Sequence, residues 1–507
     1  ADSTIDASAT DNGDGGKVVL WSDVHNASSV TTANGTIVAK GGVNSGDGGQ
    51  VETSGKLLHL GDNISVSTKA VLGADGEWLL DPEHLLIRTP DWSGSNYAVS
   101  GTTYTAQTAN PNAPIIVAGA DTRNYTFVLD GASYTGVTVI RTDTINAALN
   151  NGNVRVVATG LIDAMGWPNI DEVNYPNHFI NHAGSSKLTL EAGSSISLSS
   201  NRLNLPNGTV ELLARTTISQ SGTGNAGAVF ATTLILGSSN GGTNKPNVNL
   251  TTSTNRITNL QASNIGSLNL TNGQALTVNA TGITAAGAVT LTSATDINLA
   301  GKITTTGSGS AGALTLNVAQ GYTLNTVANY NPELVATVGG VTINSDKFNW
   351  MGGAPKIDTS GVVTIQSTSA SFGMGVLTDW FPLVNNTPSG YNFGKSGNSS
   401  LITTNSAFSV AGPVNIYGGA VTLNAAITTS NTSTGDVNIT ATGLSGSGGL
   451  GLAAGRALTI TQSGSSAYNG LISGASVTLT KLGLGSLSLT SANSYTGGTT
   501  LSAGKLG

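Results

Sequence analysis

His178 and His182 stand four residues apart in the run HFINH, the spacing two zinc ligands use when a helix brings i and i+4 together. Asp171 and Glu172 lie close by in sequence and would add carboxylate oxygens. The hydrolytic zinc pattern also needs a glutamate directly after the first histidine, and Phe179 stands there. Along a strand, residues four apart are about 13 Å from one another and do not converge on one ion. The pair therefore reads as a surface or corner feature, and no metal or other cofactor is expected.

Paired acids are the next chemistry to weigh. If Leu188 stacks on Val210, Glu211 stacks on Thr189 and Glu191 sits one outward position further along. That geometry sets the two carboxylates roughly 8 Å apart, a separation compatible with inverting glycosidases. A sugar-cleaving groove gathers several acids, bases and aromatics, whereas this flank offers mostly Ser, Thr and Asn, so no enzyme is expected. The chain has no cysteine, which removes any thiol nucleophile. Gly13-Asp14-Gly15-Gly16 and Gly46-Asp47-Gly48-Gly49 repeat 33 residues apart. They read as coil corners that need positive-φ glycine. The long glycine-aspartate nonapeptide array of calcium-binding rolls is missing.

The remaining candidates are aromatic. Trp380, Phe381 and Tyr391 lie in a stretch with Pro382 and Pro388, and Trp350 lies upstream. Aromatics on loops of a rigid scaffold commonly read sugars or protein partners. These four residues are the candidate partner-binding surface. The competing reading is that they close a local core where an insertion folds back on its scaffold.

What must position them is a two-residue beat of apolar, small polar, apolar. It appears at Leu188–Leu190, Val210–Leu212, Leu234–Leu236, Val248–Leu250, Leu268–Leu270, Val289–Leu291 and Leu314–Leu316, at steps of 22, 24, 14, 20, 21 and 25 residues. It resumes at Val414–Ile416, Val437–Ile439, Leu458–Ile460 and Val477–Leu479. Alternation at period two is a strand signal, and its regular return predicts stacked coils, an all-β parallel β-helix. Charged residues make up 9% of the chain, against about 25% in an ordinary domain. Stacked Thr, Ser and Asn along a solenoid flank satisfy one another without charge. The formal charge of −7 includes no basic patch, so nucleic acid is not an expected partner.

Five stretches are expected: coils with Gly-Asp-Gly-Gly repeats over 1–90, coils with insertions over 91–185, regular coils over 186–320, an insertion-bearing interruption over 321–400, and coils over 401–507. One short helix is expected within 143–152, capped by Asp143 or Thr144 and stopped by Asn151-Gly152, with a strand restarting at Val154. No apolar run reaches the 18–20 residues, roughly, that a membrane span needs. Absence of cysteine suits a chain that crosses a membrane unfolded. The opening Ala1-Asp2-Ser3-Thr4 carries no signal-peptide pattern and the chain stops mid-pattern at Gly507, which reads as an internal piece of a longer protein.

Gly13–Asp23 (GDGGKVVLWSD), Gly46–Lys56 (GDGGQVETSGK) and Trp78–Pro82 (WLLDP) resemble the filamentous-haemagglutinin-like large exoproteins of bacteria, secreted by the two-partner pathway. Asp143–Val157, Val362–Phe372, Phe393–Asn398 and Val410–Gly419 are similar to further stretches of that family. Lys481–Leu506 (KLGLGSLSLTSANSYTGGTTLSAGKL) resembles the autotransporter-associated β-strand repeat. The resemblance implies a right-handed β-helix, export through an outer-membrane transporter barrel, and a place outside the cell or on its surface. It also implies adhesion to a receptor, protein or glycan, on host cells or other bacteria. The family's secretion domain is not recognisable here. Three other roles stay open: a polysaccharide-acting β-helical enzyme, the shaft of a contact-dependent toxin, and self-association in biofilm.

Overall fold

In the computed structural model the chain is built from short strands, nearly all parallel, with one α-helix among the described residues. Described are residues 3–507 except 24, 27, 62, 89–96, 101–102, 107–125, 130–131, 136, 165–178, 200, 222–223 and 240–243, and for the strands between 97 and 135 the backbone alone. The chain forms two compact units, residues 1–266 with 271–273, and residues 267–270 with 274–507. Each is a stack of parallel coils.

In the first unit the sequence beat becomes a ladder. Lys17–Trp21, Gln50–Ser54, Glu77–Asp81, Asn153–Ala158, Lys187–Ala192, Leu203–Ala214, Val229–Ser238 and Arg256–Ile265 lie side by side. Leu188 faces Val210, Val210 faces Leu234, and all three are fully buried. Each such side chain contributes about 2 kcal/mol by leaving water. The odd 14-residue step from Leu234 to Val248 has a local cause. Val248 pairs with Ile218 on a second ladder, made of Leu85–Arg88, Ile162–Ala164, Ser195–Leu198, Thr217–Gln220 and Asn247–Leu250. Two beats of one coil thus lie on different sides of it.

The Gly-Asp-Gly-Gly runs are corners. Gly13 and Gly46 have φ of +107° and +113°. Asp14 accepts from the Asp47 amide and Asp47 from the Ala74 amide, both at 2.8 Å, so each corner carboxylate bonds the coil after it. A Cβ at Gly48 would run into the Thr68 carbonyl oxygen. Because Gln50 pairs with Glu77, Gly73-Ala74-Asp75-Gly76 is a third, degenerate corner.

Among the described residues the stacking departs from chain order at Thr138–Arg141. Thr138–Arg141 pairs with Leu85–Arg88 on the edge opposite Ile162–Ala164. Four strands between Tyr97 and Thr135 make a separate small sheet with two antiparallel pairs. The helix α1 follows at Thr142–Leu149, beginning one residue earlier than expected, with Asp143 in its first turn and Gly152 (φ +146°) beyond its end. It packs against Ser65–Ser67 and Ile180–Asn181. A helix uses its own backbone bonds and cannot pair with a strand. Asn146 replaces the missing rung: Nδ2 donates to the Phe179 carbonyl (2.9 Å) and Oδ1 accepts from the Asn181 amide (2.7 Å), the two bonds a parallel neighbour supplies.

In the second unit one ladder runs from Val289–Ser293 through Leu314–Val318, Val341–Asn344, Val362–Gln366, Gly390–Phe393, Val414–Tyr417, Val437–Ala441, Ala457–Gln462 and Thr478–Leu482 to Thr499–Leu501. It continues through 341–393, where the sequence shows an interruption. There Tyr391 and Phe393 occupy the inward positions held elsewhere by Val, Leu and Ile. Outside this core an amide ladder climbs the flank. Asn344 donates to Asn317, Gln366 to Asn344, Asn415 to Asn392 and Asn438 to Asn415, at 2.6–2.9 Å. Asn344 and Asn415 both give and accept, so the flank needs no charge.

Candidate functional site

Two further ladders of the second unit stop at one coil. Lys347–Trp350 ends the stack that runs through Ile297–Leu299 and Thr323–Thr326, Lys356–Thr359 ends the one through Ile303–Thr305 and Glu333–Ala336, and new stacks start at Val376–Leu377 and Phe408–Val410. Strand pairing cannot fill the change of cross-section, and rings do. Phe348 meets Trp350, Phe372, Trp380 and Phe381 at centroid distances of 5.0–6.3 Å, and Phe393 meets Phe372, Phe381 and Tyr391 at 5.8–6.1 Å. Of the four residues picked out as a partner surface, Phe381 and Tyr391 are each 1% exposed and belong to this core. Trp350 and Trp380 are half-buried.

Beside the cluster lies a groove of about 370 Å³ between the segment 378–387 and residues 406–409 of the next coil. Its first wall is anchored by Leu383, which bridges Ile357, with Ile357 donating to the Pro382 carbonyl and Val384 to the Ile357 carbonyl, both at 2.9 Å. Asp379 sits on the 3₁₀ turn Thr378–Trp380, and its Oδ1 accepts from the Asn405 (3.0 Å) and Ser406 (2.9 Å) amides of the following coil. Asp358 holds the Asn385 and Asn386 side-chain amides at 2.9 and 2.5 Å, fixing a rim in which Asn385 has φ +62°. Tyr391 lines the groove from within the core, and the half-buried Phe408 ring lies 5.0 Å from it. Burial, with the Asp379 charge adding to it, holds the Tyr391 hydroxyl far above the usual phenol range, so it stays protonated.

Residues 479–506 match the passenger-associated transport repeat. The transport repeat coincides with the stretch that resembles the autotransporter-associated strand, and it folds as further coil of the same solenoid. Thr478–Leu482 and Ser486–Leu489 are its first strands, followed by Thr499–Leu501 and Lys505–Leu506. Here the core column departs from the sequence beat: Leu479 and Lys481, not Val477 and Leu479, face Leu458 and Ile460. Lys481 is fully buried, its ammonium held by the carbonyls of Leu482 (2.6 Å) and Gly483 (3.0 Å). The transport repeat and the parallel solenoid together fit a secreted, passenger-type protein. A search of curated proteins finds no match to the chain.

The acid pair of the first unit has the expected register, Thr189 on Glu211 and Glu191 beside Leu213. Neither acid is free. Arg155 donates to Glu191 at 2.5 Å, while Lys187 and Thr189 hold Glu211 at 2.7 and 2.9 Å. A cleft of about 410 Å³ beside them brings Asp81 and Glu191 together with Arg215 and Asn244. Burial first, then the Glu52 and Glu191 charges, push Asp81 up to about 6 against the opposing pull of Arg155. The native state therefore binds this proton more tightly than the unfolded chain, whose value is 3.8. Its contribution to stability grows as pH falls from 6 to 4 and is lost above 6. Asp81→Asn is expected to raise the melting temperature at pH 7.5, with the gain vanishing near pH 4; equal melting shifts at both values would refute the assignment.

His182 is buried against the Asn150 side chain at 3.1 Å. Burial, and Lys69 after it, lower its pKa and favour the neutral ring. His178, Asp171 and Glu172 lie outside the described residues. Sequence reasoning had no means of finding the groove, because its walls come from coils joined only by tertiary stacking. Two of the aromatic candidates, Phe381 and Tyr391, do line it, while Asp379, an acid at a turn, was not singled out.

Proposed function

We propose that this chain is a length of the shaft of a secreted bacterial adhesin of the filamentous-haemagglutinin-like kind, holding binding surfaces outside the cell and carrying out no catalysis. The observation that supports it best is the continuous core column of the second unit, Val289 to Leu479, under an uncharged amide flank and beside a pre-set groove. Such a stack buries its core only against neighbouring coils, which makes a stiff scaffold rather than a reacting centre. Export would run through an outer-membrane barrel, and folding of successive coils outside the membrane would help draw the chain out. The engagement of Glu191 and Glu211 by cations weighs against the polysaccharide-cleaving alternative. Beads coated with the protein are expected to adhere to cultured epithelial cells or to bacteria above albumin-coated controls. No adhesion to either, or depolymerisation of a polysaccharide in a glycan-degradation screen, would contradict the proposal. Bead-to-bead clumping without cell binding would assign the shaft to self-association instead.

A further inference from the structure

We propose that the groove beside Tyr391 binds a neutral saccharide; the inference rests on the adhesive reading above and names the chemical class of its ligand. The deciding residue is Tyr391. It is 1% exposed, lines the groove, and its hydroxyl makes no hydrogen bond to any described residue. Elsewhere in the same unit the fold does satisfy a buried phenol, since the Tyr468 hydroxyl donates to the Gly448 carbonyl. Buried polar groups are rarely left without a partner, and those that are call for one. Tyr391 is therefore a donor and acceptor set aside at the floor of a groove.

The second group is Asp379. Its Oδ1 is used by the Asn405 and Ser406 amides, and no described residue donates to Oδ2. The charge of Asp379 reaches the Tyr391 hydroxyl. With both residues lining the groove, a carboxylate oxygen and a phenol offer an acceptor and a donor to the hydroxyls of one ligand. Phe408 supplies a ring 5.0 Å from Tyr391, a surface for the C–H face of a sugar ring. The pairing of Asp358 with Asn385 and Asn386 sets the rim in advance, so little ordering is left for the ligand to induce. The volume, about 370 Å³, falls in the range of small-molecule sites.

Charge selects within the class. None of the lining residues is Lys, Arg or His, and Asp379 is the one ionisable carboxylate among them. A sialic acid, uronic acid, sulfated sugar or phosphate would meet like charge with no counter-ion. Vicinal uncharged hydroxyls and one apolar face are what the groove complements.

Saturation-transfer NMR on the 507-residue protein tests this, with the methyl glycosides of mannose, galactose and glucose and with N-acetylglucosamine as probes. Sialyllactose and an oligolysine peptide serve as charged comparators. At least one neutral sugar is expected to bind in preference to both. Tyr391→Phe is expected to weaken that binding about five- to ten-fold, the cost of one lost hydrogen bond in a closed site. Because its hydroxyl has no partner in the protein, the same variant should melt at or above the wild-type temperature. Phe408→Ala, at a half-buried position, should weaken binding through the loss of the stacking face. Binding unchanged in both variants, no binding of any neutral sugar, or preference for sialyllactose or the peptide would each overturn the assignment. If Tyr391→Phe beads adhere to cells as well as wild type, the groove assignment fails while the adhesive reading stands. If a neutral sugar binds in the groove but wild-type beads adhere to nothing, the groove stands and the adhesive reading fails.

Discussion

Replacing Phe393 by alanine is expected to lower the stability of the second unit by about 4 kcal/mol. Phe393 is fully buried and meets the rings of Phe372, Phe381 and Tyr391 within 6.1 Å. Removing it leaves a hole at the coil where two ladders stop, so no backbone rung can close over the gap. Ile416→Val, one rung further along the same column, should cost only about 1 kcal/mol because the ladder around it is complete. Urea unfolding followed by Trp350 and Trp380 fluorescence reads the difference, since both indoles touch the cluster. Equal losses for the two variants would mean that the rings are not what holds this coil.

The second large effect is at Arg202. Its guanidinium is 1% exposed and sandwiched between Phe179 and Phe230, 4.8 Å from each ring centroid. A cation–π contact in a desolvated site contributes about 2 kcal/mol. Burial, with Arg256 adding to it, pushes the group down to about 10. Arg202→Ala should therefore cost about 3 kcal/mol, through the void between the rings. Arg202→Met fills that void and is expected to cost less than alanine. A Met variant as unstable as Ala would show that the charge, not the packing, is what the rings require.

Much of the scaffold was legible because strand periodicity is a local property. Leu188, Val210 and Leu234 announce their inward positions by alternation alone, and the inferred stacking of Thr189 on Glu211 is the observed register. Asn151-Gly152 marked the end of α1 through the positive φ that glycine takes there. What could not be read is which edge a strand joins. Thr138–Arg141 is one more strand, yet nothing local says that it pairs behind Leu85–Arg88. Nor does Asn146 announce that its amide completes a ladder for a strand 33 residues away. The 321–400 region hid its coils because Tyr391 and Phe393 break an aliphatic pattern and because the connection 367–389 is long. Lys481 hid the last core position by carrying a charge into it. For the candidate site, the aromatic residues stood out in the sequence, but their burial depended on rings from three coils meeting in space.

Register is the claim on which scaffold, groove and proposed role all depend, and paired cysteines measure it directly. The chain has no native cysteine, so introduced thiols report without background. Thr342 and Thr364 are outward neighbours on adjacent rungs. Parallel strands about 4.8 Å apart place such a pair within disulfide reach, while a partner two residues out of register lies about 8 Å away, beyond it. Thr342→Cys with Thr364→Cys should close to an intramolecular disulfide under mild oxidation, and Thr342→Cys with Gln366→Cys should not. Closure of the shifted pair as fast as the aligned one, or of neither, would contradict the stacked parallel coils.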